Sequence, residues 1–342
     1  MLFRSKAPLR IGLAGGGTDV SPYSDEFGGI ILNATLSLFA HTTIETLAEA
    51  VVIIESIDKQ EAETHTLNSQ LPINGTLDLV KGVYNRLQKD YHFPLQGLKI
   101  ITKVDAPAGS GLGTSSTLVV SIIGAFKEML QLKMSEYEIA HYAYEIERND
   151  LGLAGGKQDQ YAATFGGFNF MEFSANNKVI VNPLRIQPSY VNELENNLVL
   201  YFTSSTRESA TIIKEQQKNV IEKNIKSIEA MNHLKDQAKM MKEALLMGKI
   251  DTIGEILDYG FQQKKDMAAN ISTTAIENIY KEVKSAGATG GKISGAGGGG
   301  FMIFYCPKNT KYKVIETLET LGGTIRNFSF THDGLTTWTI PS

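Results

Sequence analysis

Leu98, Ile100, Thr102 and Val104 alternate with other residues, the period of a strand with one covered face. Soon after, residues 117–130 are apolar enough to form a buried helix. Upstream, residues 1–57 alternate apolar and small polar positions and predict a β-rich start, with a strand over 9–13. Leu79, Val80, Val83, Tyr84 and Leu87 recur at helical spacing. Residues 135–150 also read as helical, with Ser135 and Glu138 spaced as a capping box. Strands are expected over 166–173 and 198–202. The stretch 208–286 is mostly helical, with breaks near Gly248 and Ser272. A strand over 301–305, a helix near 311–321 and strands reaching Trp338 complete the pattern. No internal repeat is present. The mixture predicts an α+β fold in each half. The polar run 174–178 marks the expected boundary between domains 1–175 and 176–342.

The link between the strand at 98–104 and the following helix changes the picture. It reads Pro107-Ala108-Gly109-Ser110-Gly111-Leu112-Gly113-Thr114-Ser115-Ser116. Glycines let successive backbone N–H groups converge, and a helix N-terminus adds roughly half a positive charge, so such a loop is an anion cradle. Its natural ligand is a polyphosphate. The three hydroxyls can cap the helix or bind a metal ion. The competing reading is a loop that only turns the chain. No Gly-Lys-Ser/Thr follows, so the loop is not a Walker A motif. The glycine spacing and the absent βαβ unit also argue against a dinucleotide fingerprint. Two further glycine clusters adjoin regular elements: residues 14–19 after a strand, and residues 290–300 before one. Three such loops far apart in sequence suggest one site built from several backbone approaches.

Composition narrows the setting. A chain of 342 residues is long enough for two domains with a core each. A net charge of −4 gives no reason to expect nucleic acid or an acidic membrane as a partner. The one cysteine, Cys306, excludes an internal disulfide and suits a reducing compartment. No run approaches the length of a membrane span, and the expected location is the cytosol. The six histidines lack metal-ligand spacing. No Gly-x-Ser-x-Gly elbow points to a hydrolase.

The acids remain. Asp159 follows a glycine turn at an expected helix start. It either favours the helix dipole or faces the anion loop to orient or deprotonate an attacking hydroxyl. Glu145 and Glu147 flank the apolar face Ile139, Tyr142, Ala143 and Ile146 at similar angles. Helix geometry does not choose a metal ligand between them.

With these motifs in hand, the chain resembles the GHMP kinases, the superfamily of galactokinase, homoserine kinase, mevalonate kinase and phosphomevalonate kinase. Lys6 to Arg10 running through Gly15-Gly16-Gly17-Thr18-Asp19 carries the first match. The loop Pro107 to Ser116 carries the second, and Lys292 to Gly299 the third. The first motif and Asn33-Ala34-Thr35 look most like the branch acting on heptose phosphates, with fucose kinases as the nearest competitor. The resemblance implies a two-domain GHMP kinase fold, with an N-terminal domain like domain 2 of ribosomal protein S5 and a ferredoxin-like C-terminal domain. It implies ATP and Mg²⁺, with the ATP phosphates held by Pro107, Gly109, Ser110, Gly111, Leu112, Gly113, Thr114, Ser115 and Ser116. Ser115 and Glu147 would be the metal ligands. Asp159 would be the base, paired with Arg10. Gly16, Gly17, Thr18, Asp19, Gly297 and Gly298 would face the sugar.

Gly15-Gly16-Gly17 replaces the bulkier Gly-Glu-His of galactokinase, which weakens the case for plain galactose. A substrate already phosphorylated needs a second cationic pocket, for which Lys157 and Arg207 are the candidates. Arg207 is preferred, because a guanidinium binds phosphate bidentately and neighbouring hydroxyls add donors. The competing reading is an exposed charge. The expected reaction is direct transfer of the ATP γ-phosphoryl to the anomeric hydroxyl of heptose 7-phosphate, serving nucleotide-heptose and surface polysaccharide synthesis. The expected partner is a small sugar phosphate, with no nucleic acid or membrane; a homodimer is the assembly considered. A non-catalytic sugar or nucleotide binder and a nicotinamide-dependent dehydrogenase are the readings from other classes.

Overall fold

A computed structural model describes residues 1–204 and 209–341. The first half runs β1 (Leu2–Ala14), α1 (Tyr23–Phe27), β2 (Gly29–Leu47), β3 (Val51–Ser56), β4 (Glu61–Thr66), α2 (Asp78–Tyr91), β5 (Gly97–Val104), α3 (Thr114–Leu130), α4 (Glu136–Glu145), α5 (Gln158–Phe165), β6 (Phe168–Ser174) and β7 (Lys178–Pro183). The second runs α6 (Pro188–Asn197), β8 (Leu198–Phe202), α7 (Ser209–Ile221), α8 (Ile225–Leu246), α9 (Ile253–Lys265), α10 (Thr274–Ala286), β9 (Gly290–Ile293), β10 (Phe301–Tyr305), α11 (Lys311–Thr320), β11 (Thr324–Arg326) and β12 (Thr336–Ile340).

The larger sheet has the order β12-β1-β2-β5-β3-β4, and a β6–β7 hairpin joins the other end of β2. Opposite the edge that pairs with β1, the nineteen-residue β2 serves two neighbours: residues 29–34 pair with β6 and residues 40–47 with β5. Helix α3 lies on this sheet and is buried on nearly every side, as an apolar helix must be. Its Val119, Ile122 and Phe126 share a core with Leu9, Ile11 and Leu13 of β1. Ser121 fixes the packing with polar contacts: Ser5 Oγ donates to its carbonyl at 2.5 Å, and Thr42 Oγ1 lies 2.9 Å from its Oγ. The smaller sheet, β11-β8-β10-β9, is antiparallel throughout. It packs Tyr201, Met302 and Phe304 against Met231, Phe261, Val283 and Val314. The α+β expectation therefore holds in both halves.

The expected division is at residue 175. It falls in the turn of the β6–β7 hairpin, where Ser174 pairs with Lys178. From the far end of the chain, β12 returns to pair with β1. The helix expected over 135–150 opens with the capping box, both halves of which form. It ends differently: residues Ile146–Asp150 widen into a π-helical turn. None of the described helices is long and apolar enough to cross a membrane.

The halves meet through hydrogen bonds that each use a backbone group of the first half. Lys292 Nζ of β9 donates to Gly12 O of β1 at 2.6 Å. Gly15 N donates to Gln237 Oε1 of α8 at 3.1 Å. Phe301 N donates to Ser110 O at 2.8 Å, which sets the glycine-rich loop against β10.

Candidate active site

The loop between β5 and α3 turns through three glycines with positive φ: Gly109, Gly111 and Gly113. Gly111 shows why glycine is required. At φ +85° a Cβ would stand 2.6 Å from Ser294 O, so a side chain would meet both backbone strain and a collision. Ser294 Oγ donates to Gly111 O at 2.9 Å, and Arg10 N to Leu112 O at 3.2 Å. The loop is thus braced from β1 and from the third glycine cluster. Gly113 is the N-cap of α3, and no side chain closes that end. The hydroxyls of Thr114, Ser115 and Ser116 leave the helix uncapped. These three residues line a cavity of about 270 Å³ between the halves. Ser115 is exposed in it, and Ser116 is buried.

Two β-bulges interrupt the β1–β2 register on either side of residues 10–12. Bulges re-aim side chains, and Arg10 leaves the sheet here to reach the loop. Its Nε donates to Asp159 Oδ1 at 2.7 Å, Nη2 lies 2.6 Å from the same oxygen, and Nη1 donates to Gly111 O at 2.5 Å. Asp159 sits in the first turn of α5. A Cβ on Gly113 would stand 3.2 Å from its Oδ2. The carboxylate therefore closes against the open end of α3.

The π-helical turn carries Glu147 into the same cavity, 1% exposed. Glu145 accepts a hydrogen bond from Asn149 Nδ2 at 2.6 Å and is not among the residues around the cavity. Gln160 Nε2 donates to Glu147 Oε2 at 2.5 Å and to Ser116 Oγ at 3.1 Å. Burial raises the Glu147 pKa, while the Arg148 charge and the hydrogen bonds from Ser116 and Gln160 oppose it. Arg148 Nη1 is 3.8 Å from the Glu147 carboxylate. The other Arg148 contacts hold the loop before α5, through Leu153 O and Gly156 O. Among the described residues no cluster of three His, Cys, Asp or Glu side chains is arranged around a metal.

The first glycine turn divides. Gly17 and Asp19 line the cavity; Gly16 and Thr18 are not on its wall. Thr18 Oγ1 is taken up by the backbone, near Gly15 O at 2.8 Å and Ile30 O at 2.9 Å. Asp19 Oδ2 accepts the N–H groups of Lys157 at 2.7 Å and Gln158 at 2.9 Å, serving as a remote cap for α5. Burial raises its pKa, with the Gln158 N–H opposing. In the third cluster, Gly295 and Ala296 face the cavity. Gly297 and Gly298 turn instead to Ile271: Gly298 N donates to Ile271 O at 2.8 Å, and a Cβ on Gly297 would stand 2.8 Å from that oxygen. Lys157 is buried, with Nζ 3.2 Å from Asp25 Oδ1, and so does not offer a free charge to a ligand. Arg207 lies outside the described residues.

Three cavity residues escape the motif reading. Lys264 of α9 projects an ammonium into the cavity and bonds the carbonyl of Gly295. Burial lowers its pKa to about 8; the Arg10 charge adds to this and Asp19 opposes it. Gln216 of α7 and Gln158 of α5 also line the wall. Among the described residues, Gln216 Nε2 and Gln158 Oε1 are buried without a hydrogen-bond partner, which offers a donor and an acceptor to a hydroxylated ligand. One signal was present: Lys264 continues the buried stripe Ile253, Ile256, Leu257, Gly260, Phe261, a lysine on an apolar helix face. A neighbouring cavity of about 240 Å³ shares Leu153 with the first and is lined by Leu77, Leu79, Leu118 and Leu151.

The sequence pattern of the GHMP kinases N terminal domain matches residues 78–167, and that of the GHMP kinases C terminal domain matches residues 241–323. A D-glycero-alpha-D-manno-heptose 7-phosphate kinase from Campylobacter jejuni is 47% identical over 98% of this chain and 99% of its own. The crystal structure of a D-glycero-D-manno-heptose 1-phosphate kinase from Bacteroides thetaiotaomicron superposes with a TM-score of 0.85 at 46% identity, covering 99% of this chain and 100% of that one. A Lactococcus lactis galactokinase shares the fold, with a TM-score of 0.78 at 17% identity over 98% and 95% of the two chains.

Proposed function

Since the chain belongs to the GHMP kinase family, we propose that it is an ATP-dependent heptose phosphate kinase that phosphorylates the anomeric hydroxyl of D-glycero-D-manno-heptose 7-phosphate. The substrate class follows the heptose kinases at 46–47% identity over nearly the whole chain. The chemistry rests on one observation: Asp159, paired with Arg10, stands against Gly113 at the open end of α3.

Backbone N–H groups of the loop and the first turn of α3 receive the ATP phosphates. The purine base occupies the neighbouring cavity beside Leu118 and Leu153, whose wall also carries Lys59, Asp78 and Thr102; Leu118→Arg there is expected to raise the KM for ATP and to leave that for the sugar unchanged. Asp159 takes the proton of the attacking hydroxyl. The acceptor oxygen then bonds the γ-phosphorus, and the bond to the β,γ-bridging oxygen breaks and releases ADP. Arg10 holds the Asp159 carboxylate in place through two of its nitrogens. Positioning and fixed charge supply most of the acceleration.

Mg²⁺ fits this donor set. The Glu147 carboxylate and Ser115 hydroxyl are hard oxygen ligands, few enough to leave coordination positions for phosphate oxygens and water. When bound, the ion neutralises phosphate charge. Gln160 holds the Glu147 carboxylate in orientation. Asp19, Gln158 and Gln216 offer the sugar hydroxyls their partners, and Arg207 remains our candidate for the sugar's own phosphate.

ADP release over a panel of heptose 7-phosphate, heptose 1-phosphate, fucose, galactose and mannose tests the substrate class. The reading predicts the highest kcat/KM with heptose 7-phosphate. A preference for fucose or galactose would move the chain to the other sugar 1-kinases. ATP consumption indifferent to every sugar would favour a non-catalytic binder.

A further inference from the structure

Lys264 is a charged side chain of the cavity that the reaction above leaves unused. It is 2% exposed. Its one hydrogen-bond acceptor among the described residues is the carbonyl of Gly295. Gly295 in turn packs directly on the anion loop: a Cβ there would stand 2.7 Å from Gly111 Cα. A Cβ on Gly16 would stand 3.9 Å from Lys264 Nζ. The ammonium therefore lies at the seam of all three glycine clusters.

Of the other buried cations near the anion loop, one is paired with a carboxylate and one lies off the cavity wall. Arg10 is held by Asp159 and Gly111 O. Lys292 is held by Gly12 O and is not on the cavity wall. A buried ammonium whose one hydrogen-bond acceptor among the described residues is a carbonyl is expensive, and an arriving anion offsets that expense. Both substrates bring phosphate oxygens. The seam adjoins the anion loop, whereas the phosphate on carbon 7 of a heptose is separated from its anomeric oxygen by the whole sugar. Building on the kinase reading above, we propose that Lys264 is a catalytic residue whose ammonium contacts a non-bridging oxygen of the γ-phosphoryl group during transfer. Lys264 keeps its proton throughout; the acceptor proton goes to Asp159, and ADP leaves with the electron pair of the broken P–O bond.

Lys264→Met and Lys264→Arg are compared with the wild-type protein, varying ATP and heptose 7-phosphate independently. Lys264→Met is expected to lower kcat on the order of 10²-fold, with both KM values within about threefold, and Lys264→Arg to restore part of the loss. The wild-type kcat/KM is expected to fall above about pH 8, and Lys264→Arg to lose that fall. The charged groups facing Lys264 are Arg10 on β1, Lys292 on β9 and Asp19. Lys292 is intact in the arginine variant, so a fall that persists there belongs to Lys292 and overturns the proposal. An unchanged kcat in Lys264→Met overturns it too. A rise confined to the KM for the sugar phosphate reassigns the ammonium to that phosphate. Should the methionine variant fail to fold, the arginine profile still decides. Sugar-independent ATP turnover by the wild-type protein would instead overturn the kinase reading itself.

Discussion

Asp19 Oδ2 accepts the backbone N–H of Gln158 at 2.9 Å, so the first glycine turn holds the start of the helix that carries Asp159. The two residues lie 139 positions apart in the chain. A second bond to Lys157 N at 2.7 Å makes the carboxylate a substitute for a local N-cap, which α5 lacks.

Asp19→Ala leaves the N–H groups of Lys157 and Gln158 without this acceptor. It is expected to destabilise the protein by about 1–2 kcal/mol, a fall of about 2–4 °C in Tm, and to lower kcat through the displaced Asp159. Asp19→Asn keeps an oxygen acceptor and is expected to hold Tm near wild type. Thermal melts of both variants check this. Equal losses would show that the charge, rather than the acceptor, secures the turn.

Arg10 and Asp159 act as a unit. Asp159→Asn removes the proposed proton acceptor and is expected to lower kcat on the order of 10²-fold or more, with ATP binding retained. Arg10→Lys keeps the charge but loses the fork that spans Asp159 and Gly111 O, so it too is expected to reduce kcat more than either KM. Steady-state kinetics of both variants test the pairing; near-wild-type turnover by Asp159→Asn removes it from the base role.

Gln160 touches Glu147 and Ser116 together. Gln160→Leu frees the Glu147 carboxylate and is expected to raise the Mg²⁺ concentration for half-maximal activity roughly 10- to 100-fold, the usual effect of losing an orienting partner. A magnesium titration at saturating substrates measures it. An unchanged requirement would take Glu147 out of metal binding.

The buried lysine predicts how unliganded stability varies with pH. Lys264 titrates near 8 in the fold against a reference of 10.5. Between these values the unfolded chain binds more protons, so this group's contribution to stability rises with pH. The stability of wild type minus that of Lys264→Met is expected to climb from pH 8 to pH 10 in denaturant titrations. A flat difference would mean that the ammonium is not destabilised by burial.

Much of this architecture is legible in the residues. The strand, glycine loop and apolar helix around residues 98–130 declare themselves by period and composition, and the Ser135–Glu138 capping box by spacing. The pairing of Arg10 with Asp159 comes from motif resemblance, since no local pattern links positions 149 apart. Glu147 is separated from Glu145 by the π-helical turn, which a helical projection does not contain. Gln158, Gln216 and Lys264 belong to no motif; they converge only when α5, α7 and α9 pack around the cavity. Thr18, Gly297 and Gly298 carry the motif yet serve the backbone, because tight turns consume their groups. The pairing of β12 with β1 is a non-local contact that alternation cannot reveal.

Transfer to the anomeric oxygen is the central claim, and ³¹P and ¹H NMR of the product tests it most directly. With ATP, Mg²⁺ and D-glycero-D-manno-heptose 7-phosphate, the account predicts one ADP per sugar and a new phosphorus resonance coupled to the anomeric proton. ADP formed without that resonance, or a phosphate coupled to any other sugar proton, would contradict it.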